Sequence, residues 1–543
     1  MARDVRALLR SLPLAAPAAL FSLTVGCGGS GSGGTHVETR AASTTLAELV
    51  PTDAVVFAHA PSFETLQSAY DLLRVELPSL EPLDVAFDLG REIEVDSAAI
   101  DRTLPVALVV WIEDGMRPGA AFLLPASDPA RLAASEPKSV VRGNYVAVPS
   151  PDSTYVPGGA QHPLARTSDA GQVDVEVDLA KLVEIFRPMI DSGLAEMESE
   201  MSAMPSAGMP IDVAAMFEPY LRGARKIVDS VDRLHASVDV GAERWELSME
   251  MTVREGSPLA TIDFGEPGDL NELVPYADLE APFAMLMQVD FEQVADAFQG
   301  MLQGMTSMSS MFDDMDELLA SYDGAVAMMY DYGESGIFMS TVTAAKDADA
   351  VLETQLAMLR NGGMEEFGVT YEELGVEEVE GVEIHRVAGS IDEDAAAAGD
   401  VEAQSIAMMS GMLGPGWLRY GYAAEDGRVL TLMGDDKAAI ARAAARLRVG
   451  GAEVPPDLRR ALDALDGAPA GGVMRIDVAR LLLTLRGFSQ SMFGGPAFEP
   501  TQAQRDASAP LTLVVTAAPE AWGLRVSFTR DPKMRMGDLV EGL

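Results

Sequence analysis

The sequence predicts an α+β protein built from two similar, duplicated lobes, each an antiparallel sheet with helices packed on one face. Three observations predict this class. Hydrophobic residues make up 48% and charged residues 23% of the 543 residues, a composition that can bury a large core. Several apolar segments alternate with the period of two expected of half-buried antiparallel strands. A series of strand, turn and helix signals also occurs twice in the same order, as in an internal repeat.

The two lobes begin with similar segments. The first, L-A-E-L-V-P-T-D, starts at Leu46, and the second, L-N-E-L-V-P-Y-A-D, starts at Leu270. Each is followed by an apolar stretch, at 54–59 and 283–289, that we interpret as a strand. A hairpin is expected next in both lobes, because two apolar runs flank a short turn that contains glycine.

Aspartates stand at matching junctions in the two lobes. Asp128 and Asp347 each precede a predicted short helix, and Asp178 and Asp477 each end a predicted strand that leads into a helix. A carboxylate at such a position accepts hydrogen bonds from the free N–H groups of the first helical turn. We therefore expect all four to be N-caps.

The closing hairpins of the two lobes align without a gap. E-R-W-E-L in the first and E-A-W-G-L in the second place Trp245 and Trp522 just past the turn. On this alignment lobe 1 spans 46–266 and lobe 2 spans 267–543. Lobe 2 carries an insertion near 389–416, whose acidic, alanine-rich composition indicates a mobile loop.

Residues 1–26 have the features of an export signal. Arg3, Arg6 and Arg10 precede an apolar run at 12–25 that is too short for a transmembrane helix. The segment L-T-V-G-C follows, and it resembles the signal of bacterial lipoproteins, whose last cysteine receives the lipid. An ordinary secretory signal with a chance cysteine is the alternative interpretation.

Cys27 is the predicted lipidation site. It is the only cysteine of the chain, so it has no disulfide partner within it. Residues 27–45 are rich in glycine and serine at their start and are expected to form a flexible tether. We therefore expect an exported protein anchored in the bacterial cell envelope by a lipid. Gly28, rather than an aspartate, follows the cysteine, which favours the outer membrane.

The charge and the rare residue types narrow the function classes. Lysine and arginine number 39 against 84 aspartates and glutamates, a net charge of -45 that argues against nucleic-acid binding. Five histidines and one cysteine leave little material for a metal site, and we expect no metal and no cofactor. No G-x-S-x-G, Walker or dinucleotide motif is present, so no catalytic residue is predicted. Close carboxylate pairs are inevitable among 84 acids, so a carboxylate-dependent hydrolase remains a less favoured alternative.

Methionine, with 30 residues, is the most unusual feature of the composition. One cluster contains Met197, Met201 and Met204. The second has spacings of 4, 3, 3 and 4, which place its members on one helix face. Its members are Met301, Met305, Met308, Met311 and Met315. Three interpretations are open: helix packing in a core, an adaptable apolar surface for a ligand or partner, and a soft-metal site. The soft-metal site is the least favoured, because no histidine lies near either cluster.

The opening L-V-P-T-D-A-V-V-F-A-H and the leader together resemble a class of bacterial lipoproteins of unknown function, whose repeats begin with a Leu-Pro-x-Asp-type turn and an apolar strand. The resemblance implies an exported α+β protein and supplies no catalytic residues. The predicted function is a non-catalytic, lipid-anchored envelope protein that binds or scaffolds. The alternative is a carrier of a hydrophobic ligand, a lipid or an apolar peptide, that uses the methionine-rich helices. The expected partners are the membrane, through Cys27, and such a ligand or an envelope protein.

Overall fold

The computed structural model describes most of the chain after residue 39. The described residues are 40–41, 44–76, 80–113, 116–159, 162, 164–167, 171–203, 213–261, 269–279, 281–288, 318, 321–333, 336–360, 369–391, 416–451, 453–465, 470–481 and 508–529. They contain twenty β-strands and ten α-helices, a mixed α+β structure with antiparallel sheet pairing. The predicted α+β class is thereby confirmed, whereas the duplication of the two lobes stays a prediction. Across these residues, every helix is too short or too polar to span a membrane.

The strands are numbered along the chain. They are β1 Arg40–Ala41, β2 Ala54–Ala60, β3 Val106–Glu113, β4 Arg117–Pro125, β5 Val140–Arg142, β6 Tyr145–Pro149, β7 Arg166–Thr167, β8 Val173–Asp178, β9 Val231–Val240, β10 Arg244–Val253, β11 Phe283–Gln288, β12 Tyr322–Gly333, β13 Gly336–Ala345, β14 Val369–Val379, β15 Val382–Ile391, β16 Arg419–Glu425, β17 Arg428–Met433, β18 Ala470–Asp477, β19 Pro510–Ala517 and β20 Ala521–Thr529.

The helices are numbered in the same way. They are α1 Thr44–Ala47, α2 Phe63–Glu76, α3 Val85–Glu92, α4 Pro129–Ala133, α5 Leu179–Ala203, α6 Val213–Ser230, α7 Leu270–Leu273, α8 Ala348–Arg360, α9 Lys437–Val449 and α10 Pro456–Asp463. Four aspartates cap helices as expected: Asp128, Asp178, Asp347 and Asp477 each accept a hydrogen bond from the backbone N–H three residues later.

The contacts divide the chain into two compact units. Unit 1 comprises Met1–Gly193, Lys226–Thr261 and Pro519–Gly542, and unit 2 comprises Leu194–Arg225, Ile262–Ala518 and Leu543. The last strand, β20, thus belongs to unit 1 and pairs with β10. The lobe boundaries 46–266 and 267–543 stay a prediction.

The sheet of unit 1 runs in the order β5-β6-β4-β3-β2-β8-β9-β10-β20, with every neighbouring pair antiparallel. One face is covered by α2, α3 and α4, which contribute Phe63, Val85 and Leu132 to a buried cluster. The other face packs Phe57 and Trp111 against residues that include the end of α1. Both faces therefore carry core, because β2, β3 and β4 are apolar on both sides.

The sheet of unit 2 runs in the order β14-β15-β16-β17-β13-β12-β11-β18-β19, again antiparallel throughout. Helices α7, α9 and α10 pack on one face, the one that Leu430 contributes to. Helix α8 packs with Val429 in a separate cluster, and successive strand residues point to opposite faces. The prediction of helices on one face is therefore wrong for unit 2, because β17 is apolar on both sides.

Candidate functional site

Most residues predicted to form a site lie outside the part of the chain that the structure describes. These are Cys27, Met204, Met301, Met305, Met308, Met311 and Met315, together with residues 392–415 of the predicted insertion. Met197 lies on α5, where 46% of its surface is exposed. Met201 lies one helical turn further along α5. The methionine clusters therefore stay predictions.

A cavity of about 650 Å3 lies in unit 1 beside the first turns of α5, and we call it the α5 cavity. Helix α5 lines it with Ala180, Val183, Glu184 and Arg187, which share one helix face because of their spacing. The other lining residues, from α5 and from the ends of strands, are Asp178, Lys181, Asp232, Arg233 and Arg254. Most of the lining is charged, which is typical of a site for a polar ligand.

Cations are concentrated around this cavity. Lys181, Arg187, Arg233 and Arg254 are four of its nine lining residues, whereas lysine and arginine together are 39 of the 543 residues of the chain. Three carboxylates accompany them. Although the chain is strongly acidic, cations and carboxylates both line the α5 cavity. Their charges would act on any ligand that enters the cavity.

Hydrogen bonds hold several of these groups in place. The Asp178 carboxylate accepts the Lys181 backbone N–H at 2.8 Å, which caps α5. The Arg187 guanidinium lies 2.6 Å from the carboxylate of Asp229, near the end of α6. The Arg254 guanidinium donates to the Val231 carbonyl at 3.4 Å. The cavity wall is therefore braced between α5, α6 and the ends of β9 and β10.

A row of polar residues continues from the cavity into the sheet. Asp178 lies opposite Arg233 in the β8–β9 ladder, and Glu176 lies opposite His235 two residue pairs further in, on the same face of the sheet. The His235 Nδ1 atom lies 2.8 Å from a Glu176 carboxylate oxygen. This hydrogen bond, together with the nearby carboxylate charges, raises the pKa of His235 above its ordinary value. The row therefore favours a protonated histidine next to the cavity.

His162 lies close enough to the cavity residues for their charges to shift its pKa. Its Nδ1 atom accepts the Leu164 backbone N–H at 3.1 Å, and its Nε2 atom lies 3.3 Å from the Thr52 carbonyl oxygen. Burial lowers the pKa of His162, and the positive charges of Lys181 and Arg233 lower it further. The pKa values of His235 and His162 are thus shifted in opposite directions.

The lining of the α5 cavity combines cations with carboxylates. It contains no serine, threonine, cysteine or histidine, and its reactive groups are one lysine amine and three carboxylates. Among the described residues no group of three or more histidine, cysteine, aspartate or glutamate side chains is arranged to hold a metal ion. The charged groups of the α5 cavity can orient a small polar molecule.

Among the residues that line the α5 cavity, only Asp178 is predicted from the sequence, and only as a helix cap. The signal that could have found the cavity is the local excess of cations in an acidic chain. Lys181 and Arg187 occur within three helical turns after Asp178, and Arg233 follows Asp232 at the start of β9. Their convergence depends on the β8–β9 pairing, which no spacing in the sequence reveals. Comparison of the chain with models of known protein families, with curated proteins and with solved structures finds no match.

Proposed function

We propose that this chain is an exported protein, anchored in the bacterial cell envelope by a lipid on Cys27, which binds or scaffolds and does not catalyse a reaction. The observation that carries the proposal is the leader, in which a basic start, a short apolar run and L-T-V-G-C precede a glycine- and serine-rich tether. The α5 cavity supports the binding role, because seven of its nine lining residues are charged.

We also propose that the chain contains two duplicated lobes. Six strands of unit 1 in the order β6-β4-β3-β2-β8-β9 correspond to six strands of unit 2 in the order β17-β13-β12-β11-β18-β19. The matched strands also follow one another along the chain in the same order. Independent convergence on one order of six strands is less economical than duplication.

The strand registers support the same proposal. When Asp178 is matched with Asp477, the residues opposite them, Arg233 and Pro510, become equivalent. These two residues are separated along the chain by the same distance as Trp245 and Trp522, which the sequence motifs align without a gap. In the β10–β20 ladder Trp245 lies opposite Phe528 and Trp522 lies opposite Met251, so matched residues occupy matched positions.

One observation favours the carrier of a hydrophobic ligand as the second candidate. Met189 and Met197 on α5 are 60% and 46% exposed, so this helix presents apolar side chains to solvent. A hydrolase gains no comparable support, because four cations accompany the three carboxylates of the α5 cavity.

Lipid labelling tests the anchor. In a bacterial host grown with a labelled fatty acid, the wild-type protein should incorporate label and sediment with membranes. The Cys27→Ser variant should lose both properties, because the only cysteine of the chain is gone. A Ser43→Ala variant serves as the matched control and should be labelled like the wild type. An unlabelled wild-type protein, or label that remains in Cys27→Ser, would refute the anchor.

A further inference from the structure

We propose that the α5 cavity binds a small zwitterion that carries one carboxylate and one ammonium group, of the class of amino acids and short peptides with free termini. This inference rests on the proposed binding function and names the class of ligand.

Four cations line the α5 cavity. Arg187 is engaged with Asp229, which leaves Lys181, Arg233 and Arg254 as the cations whose charge is available to a ligand carboxylate. One guanidinium N–H of Arg254 makes a long hydrogen bond, 3.4 Å, to the Val231 carbonyl. The Arg233 guanidinium can offer two parallel N–H groups to a carboxylate, a geometry that ammonium groups lack.

Three carboxylates also line the α5 cavity. Asp178 is occupied as the cap of α5, but Glu184 and Asp232 also line the cavity. They would repel a ligand with several negative charges, such as a nucleotide. They would attract an ammonium group placed a few ångströms from the carboxylate. A molecule with both charges is therefore complementary to the lining, and one with a single sign is not.

The volume of the α5 cavity fits a small ligand of this class. A volume of about 650 Å3 lies within the usual range of small-molecule sites and can hold a short peptide. A protein partner would need a much larger surface than this cavity offers.

The end of the β18–β19 ladder in unit 2, which corresponds to the cavity end of the β8–β9 ladder in unit 1, has different residues. Pro510 stands opposite Asp477 there, where Arg233 stands opposite Asp178 in unit 1. Asp477 is 2% exposed and accepts a hydrogen bond from Ser508 at 2.7 Å. The end of the unit 2 ladder is therefore satisfied internally, whereas unit 1 keeps a cation and a cavity there.

The experiment is a binding measurement on the full chain purified from membranes. The probe is a defined equimolar mixture of tripeptides with free termini, and bound peptides are detected by native mass spectrometry. The same mixture with acetylated N-termini and amidated C-termini is the chemical control, and inorganic phosphate is the control for simple anion binding. We expect one bound peptide per chain, and at least tenfold weaker binding of the capped mixture.

Three variants assign the site. Lys181→Gln and Arg233→Gln should each weaken peptide binding at least tenfold, and Glu184→Gln should weaken it by a smaller factor. Arg142→Gln, which removes an exposed cation on the remote strand β5, should bind like the wild type. Lys181 lies on the helix surface, so its substitution keeps the test valid if Arg233→Gln fails to fold.

Other results would overturn the inference. These are the absence of any bound tripeptide, equal binding of the capped mixture, and displacement of the tripeptides by phosphate at equal concentration. Lipid labelling separates this failure from failure of the proposed function. A labelled protein that binds no tripeptide contradicts the ligand class alone, and an unlabelled protein that binds tripeptides contradicts the anchor alone.

Discussion

The last rows of the β8–β9 ladder in unit 1 and of the β18–β19 ladder in unit 2 have similar backbones and different surroundings. Asp178 and Asp477 each end a strand and cap the helix that follows. Asp178 lines a cavity with Arg233, whereas Asp477 is buried and bonded to Ser508. The same strand-to-helix junction can therefore form part of an open, charged site or of a closed core.

Two residue pairs further into each ladder, on the same face, the difference between the two units becomes larger. In unit 1 Glu176 and His235 form a hydrogen bond across the ladder. In unit 2 the Arg475 guanidinium lies 2.9 Å from the Asp457 carboxylate, and both side chains are almost fully buried. Asp457 belongs to α10, which also packs Leu458 into the core. A helix thus covers the unit 2 row, and in the described part of the chain between β6 and β8 unit 1 has no such helix.

The largest expected effect comes from breaking the buried pair of unit 2. Asp457→Ala should lower the free energy of unfolding of unit 2 by about 3 to 5 kcal/mol, because it leaves the Arg475 charge buried without its partner. Hydrogen exchange of β18 and β19, followed by mass spectrometry, measures this effect in unit 2. The double variant with Asp457→Leu and Arg475→Met should recover most of the loss.

The exposed ion pair Arg102–Asp84 provides the control for this prediction. Arg102→Gln should change stability by less than about 1 kcal/mol, because solvent screens the pair. If Asp457→Ala were no more damaging than Arg102→Gln, the buried pair would not hold α10 on the sheet.

An intermediate effect is expected from the two matched caps. Asp477→Ala should cost about 2 to 3 kcal/mol, because it removes the cap and leaves the Ser508 hydroxyl and the Ala509 N–H without their acceptor. Asp178→Ala should cost about 1 kcal/mol, the usual value of an N-cap at a site that water can reach. Urea unfolding of both variants measures the difference. Equal losses would show that the two junctions are equally buried in solution.

The smallest effect is the pH dependence of the unit 1 row. The folded-state pKa of His235 is raised above its ordinary value of 6.5, mainly by the hydrogen bond to Glu176. Asp174 and Glu250, which also face it, act in the same direction. The stabilisation is therefore complete below pH 6.5 and is lost as the pH rises through the folded-state pKa.

The variant His235→Gln measures this contribution. At pH 5.5 it should be less stable than the wild type by about 1 kcal/mol, and at pH 9 the difference should shrink. His162→Gln is the matched comparison of opposite sign. Burial lowers the pKa of His162, so the wild type loses stability there as the pH falls through 6.5 and below. A pH-independent effect of His235→Gln would mean that the Glu176 bond does not depend on protonation.

Much of the fold could be predicted from local signals. The strand predicted at 54–59 is β2, and the short helix predicted after Asp347 is α8. These elements depend on alternation of apolar residues and on aspartate caps, which act within a few residues. The placement of helices on both faces of unit 2 was missed. In a short strand such as β17 the apolar residues Val429 and Leu430 point to opposite faces, but the pattern does not tell whether a helix covers each face.

The candidate site was hardly predictable. Lys181, Arg233 and Arg254 are far apart in the sequence and carry no motif. They meet because β8 pairs with β9, β9 pairs with β10, and α5 starts where β8 ends. The methionine clusters, in contrast, were conspicuous in the sequence, and most of their residues lie outside the described part of the chain.

The sequence by itself determined the fold class, the helix caps and the features that predict export and lipidation, because each depends on residues close together in the chain. The tertiary structure alone decided where charge is buried and where it faces a cavity. The apolar face of α10, with Leu458 and Ala461, and the charged start of α5, with Lys181 and Glu184, both follow from local composition. Whether a helix covers the end of a ladder or leaves it open depends on long-range packing, which local composition does not encode.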